Sequence, residues 1–138
     1  MYTTKEALDI EASYLVILAQ YLIRYCAPTQ SDFIYFASQN LCDTTNHLVF
    51  YQKDSDTTLS DLKEYHLDFI EELIQSWKQK LSEISETSFD GISVSIKTDG
   101  YGLDVHYFIA DEAQKLSLEN QKQEELAQYL IDISSFDI

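Results

Sequence analysis

Basic side chains are scarce in this chain. Nine Lys plus Arg stand against 24 Asp plus Glu, a formal net charge of −15 on 138 residues. A negative field of that size repels phosphate, which argues against nucleic acid and against anionic membrane as partners. It also speeds encounter with basic proteins by long-range steering. Cysteine is nearly absent: Cys26 and Cys42 form no CxxC pair, and they read as small buried hydrophobes in a reducing compartment. Proline occurs once, as Pro28, and marks the end of the first helix. The apolar run from Tyr14 to Ile23 is interrupted by Gln20 and falls short of the ~20 residues that a membrane span needs. No basic segment precedes it and no small-residue cleavage site follows it, so a secretory signal is not expected. The expectation is a cytoplasmic protein.

High net charge often goes with disorder. Here 45% of the residues are hydrophobic and 13% aromatic, enough apolar surface to drive folding, so the charge sits on a fold. The length matches a single domain over residues 1–138, with no disulfide or metal staple required.

The order of elements follows from local patterns. Thr3 and Glu6 make a T-x-x-E capping box ahead of Leu8, Ala12, Leu15, Leu18, Ala19, Leu22 and Ile23 at helical spacing. FIYFASQ from Phe33 and HLVFYQK from His47 are β-rich runs joined by the turn-forming Asp43, Thr44, Thr45 and Asn46, which predicts a hairpin. The stretch DSDTTLSD reads as a polar loop in which Thr58 or Ser60 caps a second helix. That helix carries Leu62, His66, Phe69, Leu73, Trp77, Leu81 and Ile84 and ends near Ser85. Two alternating strands around Asp99 and Gly100 predict a second hairpin, with Ile92, Val94, Ile96, Val105, Tyr107 and Ile109 on the core face and Ser93, Ser95, Lys97, Asp104 and His106 on the surface. A third amphipathic helix runs from Ser117 to about Ile133 with Leu118, Leu126, Leu130 and Ile133 inward. The expected fold is α+β, a two-layer domain of order α-ββ-α-ββ-α whose four-stranded antiparallel sheet packs against helices.

Motifs with a built-in mechanism are missing. There is no GxSxG, P-loop, HExxH, GxGxxG or CxxC, so an enzyme is not expected, nor a cofactor. His47, His66 and His106 fall on different elements without ligand spacing, so no metal site is expected, and the pattern of a calcium loop is missing at Asp54 and Asp56. Asp104 and His106, two apart on one strand, come closest to an acid–base pair. The acidic residues carry more information. Glu64, Asp68, Glu71 and Glu72 lie at i, i+4, i+7 and i+8 on the second helix, forming a ridge that Asp54, Asp56 and Asp61 extend. Like charges at that spacing weaken a helix, so the ridge is the expected contact for a basic partner. Asp99, Asp104, Asp111 and Glu112 form a second acidic group. Tyr14, Tyr21, Tyr25 and Tyr65 do not all fit one buried stripe, so some of them reach the surface, where tyrosine is enriched in binding patches.

LAQYLIRYCAPTQSDFIYF, HLVFYQKD and ISVSIKTDGYGLDVHYFIAD together resemble the YezG-like family of bacterial immunity proteins. Ala27 and Pro28 at a helix end, Phe50 and Tyr51 closing a strand, Asp99 and Gly100 in a hairpin, and Asp104 and Tyr107 on its second strand stand in the family's places. The resemblance implies a cytoplasmic antitoxin that binds a cognate toxin domain, often a nuclease, as a monomer in a 1:1 complex. It would act by occlusion without catalytic residues. The physics agrees, because a nuclease needs a basic surface for phosphates and an acidic protein can occupy it. The alternative is an acidic type III secretion chaperone that dimerises around an effector segment, which needs an exposed apolar groove and a self-complementary surface. A nucleic-acid mimic is suggested by charge alone.

Overall fold

In the computed structural model, which describes residues 3–41, 44–85, 88–116, 122–134 and 136, the first helix begins at a threonine cap. Thr4, one residue later than the T-x-x-E box predicts, is the cap, and its Oγ1 accepts from the Ala7 backbone N–H at 3.2 Å. Helix α1 (Lys5–Tyr21) runs into a π-helical turn, Leu22–Cys26, ahead of Pro28. Strands β1 (Phe33–Leu41) and β2 (Thr44–Lys53) form the expected hairpin, but Thr44, Thr45 and Asn46, expected in its turn, belong to β2 and pair with β1. A third strand, β3 (Asp56–Leu59), follows where a polar loop was expected. Helix α2 (Glu64–Ile84) leads to β4 (Gly91–Lys97) and β5 (Gly102–Phe108), then to a 3-10 segment (Ala110–Leu116) and helix α3 (Gln123–Ile133). The sheet is antiparallel with five strands in the order β3-β2-β1-β4-β5, so the two hairpins join through β1 and β4.

The extra strand has a local cause. Asp54 and Ser55 both take positive φ, 53° and 71°, the conformation of the tight two-residue turn that suits the twist of paired strands. Asp54 tolerates it, and its backbone N–H is held by Asp32 Oδ2 at 3.1 Å. Thr57 and Thr58 then supply β-branched residues for the short edge strand. Neither Thr58 nor Ser60 caps α2. Ser60 Oγ donates to the Cys26 carbonyl at 2.7 Å, and at the helix start His66 Nδ1 accepts from the Lys63 backbone N–H at 3.1 Å. That puts an imidazole where a capping box has a carboxylate.

The sheet is covered on both faces, which replaces the two-layer expectation with three layers. On one face α1 and α2 pack over Ile34, Phe36, Val49, Ile92, Val94 and Ile96, with Leu103, Val105 and Tyr107 partly buried beside them. On the other, the 3-10 segment and α3 bury Tyr35, Ala37, Phe50 and Phe108 under Ala113, Leu116, Leu126, Ala127 and Leu130. The reason lies in β1, whose FIYFA run is apolar on both sides, as a strand buried on both faces must be. Ser93 and Ser95, expected at the surface, are buried, because they point to the second layer. On the same face Gly91, with no side chain, lets Leu116 and Ala113 approach the sheet closely.

The helix stripes follow the expected ones along most of α1, at Leu15, Leu18, Ala19 and Leu22, and depart from them at its start and in α2. In α1 the buried residues are Ala7, Leu15, Leu18 and Ala19, with Leu22 in the turn that follows, while Leu8 and Ala12 are exposed. In α2 they are His66, Ile70, Ile74, Trp77 and Leu81, leaving Phe69 and Ile84 on the surface and Leu73 half-buried. Ile109 lies past the end of β5 and is exposed. Leu126 and Leu130 of α3 are buried as expected; Cys42, Asp43, Leu118 and the start foreseen for the third helix at Ser117 lie outside the described residues. Among the described residues no helix is long and apolar enough to cross a membrane.

Candidate functional site

The seven acidic residues singled out by sequence fall into four places. Glu64, Asp68 and Glu72 are exposed along α2, where Glu64 in the first turn also complements the helix dipole. No basic side chain among the described residues pairs with these three. Asp61 lies just before the helix and is paired with Lys63 at 2.9 Å; that ammonium group holds the Asp61 carboxyl below its ordinary range. Asp54 and Asp56 flank the β2–β3 turn at the end of the sheet that also carries Asp32 and Asp99. From His47, beside α2, to Asp54 is seven residues of extended chain, about 23 Å at 3.3 Å per residue. The turn acids are therefore remote from the Glu71 part of the ridge.

Glu71 reaches toward the sheet, though 37% of its side chain stays exposed. Its Oε2 is 2.5 Å from Nε2 of His47, whose Nδ1 is 2.9 Å from Ser38 Oγ. A carboxylate only accepts, so Nε2 carries the proton and donates to Glu71, and the bare Nδ1 accepts from the Ser38 hydroxyl. Burial lowers the His47 pKa against the opposing pull of Glu71, which keeps the ring neutral. The imidazole also lies nearly parallel to the Phe36 ring, at 6.2 Å. Gln75 Nε2 donates to the other Glu71 oxygen at 2.9 Å. Asn46, His47, Leu67, Asp68 and Glu71 line an open cleft of about 340 Å³ here. Sequence placed His47 on a strand and Glu71 on the ridge, and it had no local signal that would join them.

The helix pair presents a second feature beside the ridge. Tyr21 of α1 stacks on Phe69 of α2 with ring centroids 4.0 Å apart, and Tyr25 lies 5.0 Å from Tyr21. Tyr65 packs on His66 at 4.3 Å. Tyr65 is 67% exposed, Tyr25 53% and Phe69 39%, so the α1–α2 seam shows solvent an aromatic surface. Of the four tyrosines weighed in the sequence, Tyr14 is half-buried, sealing the other end of the seam through a 2.7 Å hydrogen bond with Ser76 and a stack on Trp77. Apolar spacing in the sequence assigns Phe69 to the core stripe, but it lies off the Ile70, Ile74 and Trp77 line and is exposed.

Asp104 and His106 do meet, with Oδ2 2.9 Å from Nε2. Ser93 sits directly opposite His106 in the β4–β5 register, which puts Ser, His and Asp on neighbouring positions of one sheet face. The serine is 1% exposed and its Oγ finds no hydrogen-bond partner among the described residues. A nucleophile needs both a base in reach and access to substrate, and Ser93 has neither. The other members of the second acidic group are spread out: Asp99 is exposed in the β4–β5 turn, and Asp111 and Glu112 are exposed at the opposite end of β5. Among the described residues no three His, Cys, Asp or Glu side chains form a group able to hold a metal ion. Against known proteins, no family model and no curated sequence matches this chain.

Proposed function

We propose that this chain is an immunity protein: it captures a basic toxin domain, most simply a nuclease, and occludes it in a 1:1 complex without chemistry of its own. The observation that carries this reading is the set of exposed carboxylates Glu64, Asp68 and Glu72 along one rigid helix, on a chain with a net charge of −15. A helix held by its buried Ile70, Ile74 and Trp77 keeps those charges at fixed spacing, so little ordering is needed when a partner docks. The field around them raises the encounter rate with a basic surface by about tenfold to a thousandfold at low salt. Resemblance to YezG-like immunity proteins supports the same reading. The turn acids Asp54 and Asp56, at the end of the sheet, add to the field that steers a basic partner.

The test is binding to the C-terminal domain of the protein encoded immediately upstream, followed at low and high salt. Tight binding with an association rate that falls as salt rises supports charge-steered immunity; no binding overturns it. A dimer in sedimentation that captures an unfolded secretion substrate instead would favour the chaperone alternative.

A further inference from the structure

We propose that the aromatic seam between α1 and α2, built from Tyr21, Tyr25, Tyr65 and Phe69, is the anchoring centre of the partner contact, and that it receives arginine and lysine side chains from a basic protein surface. This rests on the immunity reading and adds the place and chemistry of the contact.

Composition and position carry the inference. Protein interfaces pair an aromatic centre with a polar rim, and Tyr, Trp and Arg dominate their energetics. Here the rim adjoins the centre on the same helix. At 100° per residue, Glu72 lies about 20° and Asp68 about 60° around the α2 axis from Tyr65, and Phe69 lies about 40° to the other side. All four are exposed. A cation brought to the Tyr65 or Phe69 ring therefore has a carboxylate within reach of the same approach, and a ring face and a carboxylate together select an extended basic side chain. The chain already shows such a contact: its own Arg24 guanidinium sits 5.5 Å from the centroid of Tyr25.

The same charge decides among occupants. A second copy docking through this seam by a two-fold axis would bring Asp68 and Glu72 of both copies into one interface, between molecules of charge −15 each. An anionic bilayer or a nucleic acid would bring phosphates to the same carboxylates. A basic protein surface meets no such repulsion.

The probes are nona-arginine and nona-lysine, titrated into the full chain and followed residue by residue by NMR. Shifts concentrated on residues 17–25 and 64–73, with nona-arginine binding more tightly than nona-lysine, are the expected result. Phe69→Ala and Tyr65→Ala should each weaken nona-arginine by about fivefold with the melting temperature little changed. Tyr65→Leu, which keeps apolar bulk without the ring, should weaken it as Tyr65→Ala does. Shifts centred on Asp54, Asp56 and Asp99, shifts spread evenly over the surface, or affinities indifferent to the substitutions would overturn the seam. So would a dimer that Phe69→Ala dissolves. Binding to the upstream toxin separates the two levels. If the toxin binds and Tyr65→Ala and Phe69→Ala leave its Kd unchanged, the seam is wrong and immunity stands. If nona-arginine maps to the seam and the toxin does not bind, immunity is wrong and the cation-binding seam stands.

Discussion

His47 and Glu71, 24 residues apart, share a hydrogen bond in which a buried neutral imidazole donates to a carboxylate at the edge of the acidic face. The bond ties strand β2 to the middle of α2 and turns one acid of the ridge inward. Its protonation state couples the fold to pH. His47 has its pKa lowered from 6.5 in the folded chain, first by burial. The unfolded chain therefore takes up a proton at a higher pH than the folded one, and the contribution of His47 to stability is full above pH ~6.5 and is lost as pH falls below that value. Thermal melts across pH 7.5 to 5 should show a falling midpoint, and His47→Gln should flatten that part of the profile. An unchanged slope in the variant would remove His47 as the cause.

Charge reversal on α2 should separate stability from capture. Asp68→Lys relieves like-charge contacts with Glu64 and Glu72 at i−4 and i+4, so stability should rise by about 0.2–0.5 kcal/mol for each pair relieved. The same variant should associate more slowly with a basic toxin domain, with a weaker salt dependence. Denaturant titration and association kinetics measure the two effects independently.

Gly91 should be among the least tolerant positions in the sheet. A Cβ there would come within 2.8 Å of Leu116 Cδ1, 3.1 Å of Ala113 Cβ and 3.3 Å of the Ser38 carbonyl oxygen. Gly91→Ala should cost about 1–3 kcal/mol by pushing the 3-10 segment off the sheet. Gly100→Ala meets no atom within 4 Å but sits at φ +80°, so it should cost ~1 kcal/mol through backbone strain alone. Urea unfolding of both variants compares a packing fault with a torsional one.

Ser93→Ala should leave stability unchanged or slightly higher, because it removes a buried hydroxyl that has no partner among the described residues. It also probes the Ser93, His106 and Asp104 juxtaposition. Loss of any hydrolytic activity in this variant, with folding intact, would reverse the assignment of that cluster as structural.

Burial pushes the Cys26 thiol up to about 11, so at pH 8 it should be a poor nucleophile. In a Cys42→Ser background, reaction with a disulfide reagent should be slow and should track unfolding as denaturant is added. Rapid native-state labelling would show that the π-helical turn opens locally.

Much of the architecture was legible because it is written in local patterns. The apolar spacing of α2, the alternation in β4 and β5, and the turn at Asp99 and Gly100 each involve neighbours in sequence, and all are present. Strand β3 was hidden by composition: DSDTTLSD is polar but for Leu59, and its two positive-φ residues are Asp and Ser instead of the usual Asn and Gly. The second covered face was signalled by the FIYFA run, yet Ser93 and Ser95 read as surface because small polar residues do not reveal whether a helix lies over them. Of the acidic ridge, the exposure of Glu64, Asp68 and Glu72 was legible from helical periodicity, whereas the inward turn of Glu71 was not.

Sequence alone determined the sign and size of the field and the order of most elements, since charge is a sum over residues and secondary structure answers to short-range torsions and spacing. Tertiary structure decided which residues meet: Glu71 with His47, Tyr21 with Phe69, and Asp54 with Asp32 at the far end of the sheet. Those contacts depend on how strands pair and how helices cross, and the packing that sets them is shared among many side chains distant along the chain.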